Sequence, residues 1–320
     1  MTLFLNLALG LISNLLIIKL LMPFLKNLII DKPNERSTHK KNIPKGGGLS
    51  FVLSCSIYAL LNLSNNGNQL FYSFLIVLPL ALVSLLNDKY NLSQTLRLFL
   101  QLMTVIFLVN NSNLISNFQN DSTGNFFIII ISILLFTAGT AIMNFINFMD
   151  GLDGLIAGTM CITFFVYSLI LSPYIIFLSG SLLAFLFFNW NPAKLFMGDV
   201  GSIYLGSMIC ACLSLSNSIE QLFSLFLIPF PVLFDAFICV LRRYINKQSI
   251  FKAHRLHLYQ RLYDAGLSQK NISLGYIFAV LLMSFTFFIG NLYYQLFLAV
   301  IFVFIGVFID MKYALPFKDL

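Results

Sequence analysis

Long apolar runs alternate with short polar gaps along the whole chain. The runs occupy residues 2–22, 49–63, 69–86, 96–110, 126–146, 155–171, 174–189, 200–216, 220–241, 273–290 and 293–310. Most approach the ~20 residues that a helix needs to cross the hydrocarbon of a bilayer. In lipid, a helix satisfies its own backbone polar groups, so an apolar run of that length reads as a helix rather than a strand. The pattern predicts an all-α fold, a polytopic membrane helix bundle with about 11 transmembrane helices, in one integral membrane domain over residues 1–320. The gaps leave no room for a separate soluble domain. The first cation is Lys19, so no basic region precedes the first run, which reads as a retained spanning helix rather than a signal peptide.

Composition agrees: 59% of residues are hydrophobic, 10% are charged and the mean hydropathy is +0.89, whereas soluble domains carry about 25% charged residues. Charge then sets the orientation. With the N-terminus outside and the C-terminus cytoplasmic, the loops 23–48, 87–95, 147–154, 190–199 and 242–272 and the tail 311–320 share one face. These loops and their helix ends hold every one of the 19 Lys and Arg residues except Lys19, whose long stem can snorkel to the interface. The opposite gaps, 64–68, 111–125, 172–173, 217–219 and 291–292, hold no Lys or Arg, only Asp121, with Glu220 at the edge. The positive-inside rule puts the basic face in the cytoplasm. The expected location is the inner (plasma) membrane, multi-pass, with any active site cytoplasmic. The net charge of +7 follows from that bias and implies no nucleic-acid partner. The five cysteines, Cys55, Cys161, Cys210, Cys212 and Cys239, lie inside apolar segments without a C-x-x-C pair and read as small buried hydrophobes, with neither disulfide nor zinc expected.

The basic face also gathers the residues able to do chemistry, which an active site requires. Asp31 to Gly48 is a basic loop in which Lys40, Lys41 and Lys45 precede Gly46–Gly48. It reads either as an ordinary positive-inside loop or, since glycines directly before a helix let amides approach an anion, as a phosphate contact. Asn87–Asp88 closes one run and Arg97 opens the next. Asp88 is a candidate base, electrostatic partner or cap. In Asn144-Phe-Ile-Asn147-Phe-Met-Asp150-Gly151-Leu-Asp153, polar groups recur every three residues and can share a helix face. Two acids so close repel unless a cation joins them, and an oxygen-only donor set suits Mg²⁺ or Mn²⁺. Asp199, in Phe196-Met-Gly-Asp199-Val-Gly-Ser202, stands where a helix N-terminus favours an acid. His254, Arg255 and His257 open a segment, 250–263, that reads as an interfacial helix with Phe251, Leu258 and Leu262 on one face and Gly266 as its stop. They suit a diphosphate or a sugar, whereas two His at this spacing with no nearby Cys or acid make a weak zinc site. Asp235, inside an apolar run, is expected to face the bundle and pair with a cation or polar group.

Together these motifs resemble the polyprenyl-phosphate N-acetylhexosamine-1-phosphate transferases (glycosyltransferase family 4), which include the phospho-N-acetylmuramoyl-pentapeptide transferases. The resemblance runs from Asp31 to about Gly266 and is specific in combination. Asn144–Leu155 and Phe196–Ser202 match the elements N-x-x-N-x-x-D-G-x-D-G-L and F-M-G-D-x-G-S, and His254–Arg261 resembles the H-R-x-H-x-Y-Q-R form of O-antigen and capsule initiators. It implies transfer of HexNAc-1-phosphate from a UDP-HexNAc to undecaprenyl phosphate, giving undecaprenyl-diphospho-HexNAc and UMP, in the initiating step of a cell-envelope polysaccharide. By the same resemblance, Asp88, Asp150, Asp153 and Asp199 are catalytic. Asp199 with Asn147 holds Mg²⁺, Mn²⁺ being an alternative, and Asp150 supports the metal or the phosphates. Asp153, with Gly151 and Phe196, holds the uracil. Lys45, Arg97, Asn144, His254, Arg255 and His257 bind substrate. A homodimer stays open as a partner.

One position departs from the family pattern, which has two adjacent acids where this chain has Asn87-Asp88. Asn cannot deprotonate the lipid phosphate. A phosphate monoester is nevertheless largely ionised at neutral pH, with a second pKa near 6, so attack needs positioning more than a base. The expectation is an active enzyme. Its alternatives are a catalytically reduced member that binds UDP-sugar or lipid, and an anion transporter. A transporter predicts polar residues throughout the helix interiors, whereas the ionisable groups here gather at one boundary.

Overall fold

The computed structural model describes residues 2–33, 41–63, 69–90, 92–120, 125–249, 254–289 and 292–317. The expectations for Lys40, Asp121 and Phe251 fall outside the described residues. Along the chain run α1 (Thr2–Leu28), β1 (Ile30–Asp31), β2 (Ile43–Pro44), α2 (Leu49–Asn62), α3 (Gln69–Ile76), α4 (Leu78–Tyr90), α5 (Gln94–Asn110), α6 (Asn113–Asn120), α7 (Asn125–Phe148), α8 (Leu155–Ile170), α9 (Ile176–Asn189), α10 (Gly198–Ser214), α11 (Ile219–Leu227), α12 (Phe230–Ile245), α13 (Leu258–Asp264), α14 (Gln269–Ile289) and α15 (Leu292–Tyr313).

Every predicted apolar run falls on helix. Among the described residues, five helical stretches are long and apolar enough to cross a membrane, and six if the bent α11–α12 pair counts as one. Five more apolar helices are shorter, at 10–17 residues. The run 220–241 is broken by an 82° bend between α11 and α12. Pro229 and Pro231 sit at the break, and a proline cannot donate the hydrogen bond that would continue the helix. The only β structure among the described residues is β1–β2, antiparallel with Ile30 opposite Pro44 and Asp31 opposite Ile43, which draws the ends of the first polar loop together.

The core is built around α10. It is apolar on all sides and buried along nearly its whole length, and it packs against α7, α4, α5 and α2. A helix with no polar face belongs inside a bundle or a bilayer. The outward faces are also apolar. Leu16 and Leu20 on α1, Phe278 and Phe285 on α14, and Phe297 and Phe304 on α15 are exposed. A water-soluble surface does not carry apolar area on that scale.

The two ends of the bundle differ. Each ion pair found among the described residues lies at the end formed by the basic loops. At the other end the contacts are between carboxamides and carbonyls: Asn113 Nδ2 donates to the Leu215 carbonyl at 3.0 Å and to Asn217 Oδ1 at 3.2 Å. Apolar sides with two unlike polar ends make the chain a multi-pass helical membrane protein.

Candidate active site

Gly46–Gly48 does not present a row of amides to an anion. The Gly47 N–H donates to the Phe196 carbonyl at 2.8 Å and the Gly48 N–H to the Met197 carbonyl at 2.9 Å, while the Phe196 N–H donates to the Pro44 carbonyl at 2.9 Å. The loop is thereby zipped to the segment that starts α10. A Cβ on Gly48 would run into the backbone of Gly201, and one on Gly198 (φ +75°) would lie 2.6 Å from Asp88 Oδ2. Glycine is required here for close approach of backbone to backbone. The zipper aims Lys45 inward.

Lys45 Nζ lies 2.7 Å from Asp88 Oδ1 and 4.0 Å from Asp199 Oδ1. Burial disfavours its ammonium, but Asp88 and Asp199 outweigh burial and hold Lys45 above its ordinary pKa. The Asp88 side chain is fully enclosed. Besides Lys45 it accepts the N–H of Asp199 at 3.2 Å and of Val200 at 3.4 Å. These amides belong to the first turn of α10, where N–H groups lack helical partners. Asp88 therefore caps α10 from α4. Its neighbour Asn87 donates from Nδ2 to Asp199 Oδ2 at 2.7 Å, and Arg97, from the start of α5, donates to the same oxygen at 3.1 Å. Four segments thus converge on Asp199.

The Asn144–Asp153 stretch does not share one helix face. α7 ends at Phe148, so Asp150 and Asp153 lie in the turn before α8. Asn144, expected to bind substrate, sits a turn deeper in a reciprocal carboxamide pair with Gln101 of α5, at 2.9 and 3.3 Å. Asn147 Oδ1 accepts from Ser202 Oγ at 2.8 Å, one turn along α10 from Asp199. The Asp150 carboxylate has no hydrogen bond or ion pair among the described residues, while its N–H donates to the Asn147 carbonyl at 3.3 Å. Burial raises its pKa well above the usual carboxylate value. Lys45 opposes the rise, and Asp199, Asp88 and Asp153 add to it. Asp153 is buried, with Oδ2 accepting from Asn191 Nδ2 at 2.9 Å and the Ala193 N–H at 3.0 Å, which ties it to the loop before Phe196. Phe196 itself is half-buried beside Lys45 in the chain zipper.

This donor set fits a hard divalent cation. Asp199, Asp150 and Asn147 offer oxygen only, and the unfavourable charge on Asp150 is of the kind that a cation relieves.

The third region departs most from expectation. The described helix α13 starts at Leu258, preceded by extended chain from His254 to His257. It stops as predicted, with Gly266 at φ +101°. Arg255, expected at a diphosphate, is committed to Asp264 through two contacts at 2.6 and 3.2 Å. His257, expected at the sugar, is 2% exposed. Burial, then Arg243 and Arg261, lower its pKa to about 3, so its ring is neutral. His254 is half-buried beside it. Asp235 of α12 accepts the N–H groups of Leu258 (2.8 Å) and Tyr259 (3.2 Å) and the Tyr276 hydroxyl (2.6 Å), capping α13 as Asp88 caps α10. The residue that reaches the candidate site is Tyr259. Its hydroxyl donates to the Phe148 carbonyl at 2.9 Å and lies against Gly151, where a Cβ would collide with it. Nothing in the spacing of residues 254–261 marks Tyr259 for that place.

The sequence profile of glycosyl transferase family 4 matches residues 70–217, the stretch holding Asn87, Asp88, Arg97, Asp150, Asp153 and Asp199. The chain is 31% identical to the probable undecaprenyl-phosphate N-acetylglucosaminyl 1-phosphate transferase of Bacillus subtilis, over 84% of this chain and 82% of that protein. The chain belongs to glycosyl transferase family 4. Other family 4 relatives include the decaprenyl-phosphate N-acetylglucosaminephosphotransferase of Mycobacterium leprae, 30% identical over 76% of this chain and 72% of that protein. The phospho-N-acetylmuramoyl-pentapeptide-transferase of Staphylococcus haemolyticus is 27% identical, over 80% and 89%. The family 4 profile thus spans the Asp199 cluster but neither Lys45 nor the His254–Arg261 segment.

Proposed function

We propose that this chain transfers HexNAc-1-phosphate from a UDP-HexNAc to undecaprenyl phosphate, releasing UMP, as the initiating step of a cell-envelope polysaccharide. The observation that carries the reading is the convergence of Lys45, Asn87, Asp88 and Arg97 on Asp199, with the unpartnered Asp150 close enough to feel the same charges. Two cations beside carboxylates that invite a divalent ion suit a diphosphate. The relatives' names supply the polyprenyl-phosphate and amino-sugar chemistry.

In this reading an oxygen of the lipid phosphate attacks the sugar-bearing phosphorus, and the bond from that phosphorus to UMP breaks. Lys45 and Arg97 hold the diphosphate in line for attack, and Asn87 and Asp88 keep Asp199 in place. Mg²⁺, held by Asp199 with Asp150 and Asn147, would neutralise charge gathering on the leaving UMP. We place this end at the cytoplasmic face of the inner membrane, with eleven spans and the N-terminus outside, because the basic loops all meet there. A second reading, a member that binds UDP-sugar or lipid without turnover, rests on Asn87 standing where the family pattern has an acid.

Purified protein with Mg²⁺, undecaprenyl phosphate and a panel of UDP-HexNAc donors separates them. UMP release from at least one donor, abolished by chelation and by Asp199→Asn in a folded protein, supports the transferase. Donor binding without UMP supports the second reading, and neither binding nor release overturns both.

A further inference from the structure

The described residues contain a second group of metal-ligating side chains, different in chemistry from the carboxylates around Asp199. Cys239 of α12, His254 and His257 bring one potential ligand atom each within 4.8 Å of one another. The sequence hides this group, because Cys239 lies nearly two turns before the end of α12 while the histidines follow a polar stretch of the sequence. Only the fold brings the thiol to the rings.

A separate observation points to something missing there. His257 Nδ1 is buried and has no hydrogen-bond partner. Its nearest acid, Asp235 Oδ1, is 3.9 Å away, beyond hydrogen-bonding distance, and both Asp235 oxygens already accept bonds from Leu258, Tyr259 and Tyr276. Leaving a buried nitrogen unpaired is costly, so such a group in a native fold calls for a partner. The His254 ring stacks on His257 at 5.1 Å between centroids, which holds the two rings side by side.

We propose that Cys239, His254 and His257 form a three-ligand site for a borderline-soft cation, Zn²⁺ in the first instance, stapling α12 to the segment that leads into α13. Thiolate and imidazole donors select zinc over Mg²⁺. Ligands at the ~2.0–2.3 Å typical of zinc stand roughly 3.5 Å apart, so the cluster closes by about 1 Å on loading. His254, half-buried, is the less enclosed of the two histidines. Arg243 and Arg261 oppose added positive charge, which makes the thiolate the necessary ligand. The staple would brace Tyr259, two residues past His257, over Gly151. The site stands whether or not the transferase reading does.

Co²⁺ as a zinc surrogate tests it without substrate. One equivalent of Co²⁺ added to metal-free protein in detergent should give a thiolate-to-cobalt charge-transfer band, displaced by Zn²⁺. Cys239→Ser should abolish the band and weaken Zn²⁺ binding at least tenfold, while Asp199→Asn should leave both unchanged. Zn²⁺ should raise the melting temperature of the unsubstituted protein and a chelator should reverse it, a reading that needs no variant to fold. Absence of the band together with absence of a Zn²⁺ shift overturns the proposal, as does a band that survives in Cys239→Ser.

Discussion

Asn87→Asp exchanges a donor for an acceptor at one of the two tightest contacts in the candidate site. Asn87 Nδ2 gives Asp199 Oδ2 a 2.7 Å hydrogen bond from a buried position. The carboxylate variant loses a bond to a charged acceptor, worth about 1.5–3 kcal/mol. It also sets two like charges close together, which repel by roughly 4 kcal/mol at 4 Å and an effective dielectric of ~20. Arg97 at 3.1 Å and Lys45 at 4.0 Å from Asp199 offset part of this. The expected net loss in metal-free protein is about 2–4 kcal/mol. A divalent cation between the carboxylates reverses the sign. If it recovers about 2 kcal/mol, Mg²⁺ binds roughly thirtyfold more tightly than to the unsubstituted chain, at 1.4 kcal/mol per factor of ten. Thermal unfolding in detergent with and without Mg²⁺, paired with Mn²⁺ titration followed by electron paramagnetic resonance, reads both effects. Asn87→Ala is the control: it loses the bond, adds no charge and should gain no metal affinity. If Asn87→Asp is as stable as the unsubstituted protein in chelator and responds no more strongly to Mg²⁺, the Asn87–Asp199 contact does not set the charge balance of the site.

Two further outcomes follow from the same geometry. Gly48→Ala drives a methyl into the Gly201 backbone, which cannot give way, so it should destabilise by about 1–3 kcal/mol or more and lower UMP release. Gly47→Ala meets only the Leu195 and Phe185 side chains and should do less, and equal melting temperatures for the two would count against the backbone seam. Asp150 has a folded-state pKa raised above its ordinary 3.8. The native state therefore holds its proton longer than the unfolded chain, and this contribution to stability is present at low pH and lost as pH rises through the raised value. Metal-free protein should lose melting temperature on that rise more steeply than Asp150→Asn, and parallel curves would remove Asp150 from the charged cluster.

The hydropathy pattern was enough to locate the apolar helices, because a run of apolar residues has few alternatives in lipid, but it passed over the polar α6, which falls in the gap 111–125. It did not show the α11–α12 bend, since hydropathy sums over Pro229 without registering its missing N–H. The motifs led to Asp88, Asp150 and Asp199 as one group because acids in so apolar a chain need a reason. They misled over the shared face of Asp150 and Asp153: three-residue spacing implies a common face only while a helix lasts, and α7 stops at Phe148. Arg255 looked available because Asp264 lies nine residues away, and only the turn into α13 brings the pair together. The glycines of the first loop suggested phosphate because that is the commoner use of such a run before a helix. Their partner, the segment 195–201, lies far along the chain.

That partnership has a bearing on how the protein can vary. Where Gly48 meets Gly201 there is no side chain to exchange, and any replacement wedges two main chains apart. Change in the candidate site must therefore come from the residues around the seam, such as Tyr259 and the loop before Phe196, and not from the seam itself. Because the seam is buried, a substitution there reaches the chemistry only through the placement of the first turn of α10, and with it of Asp199.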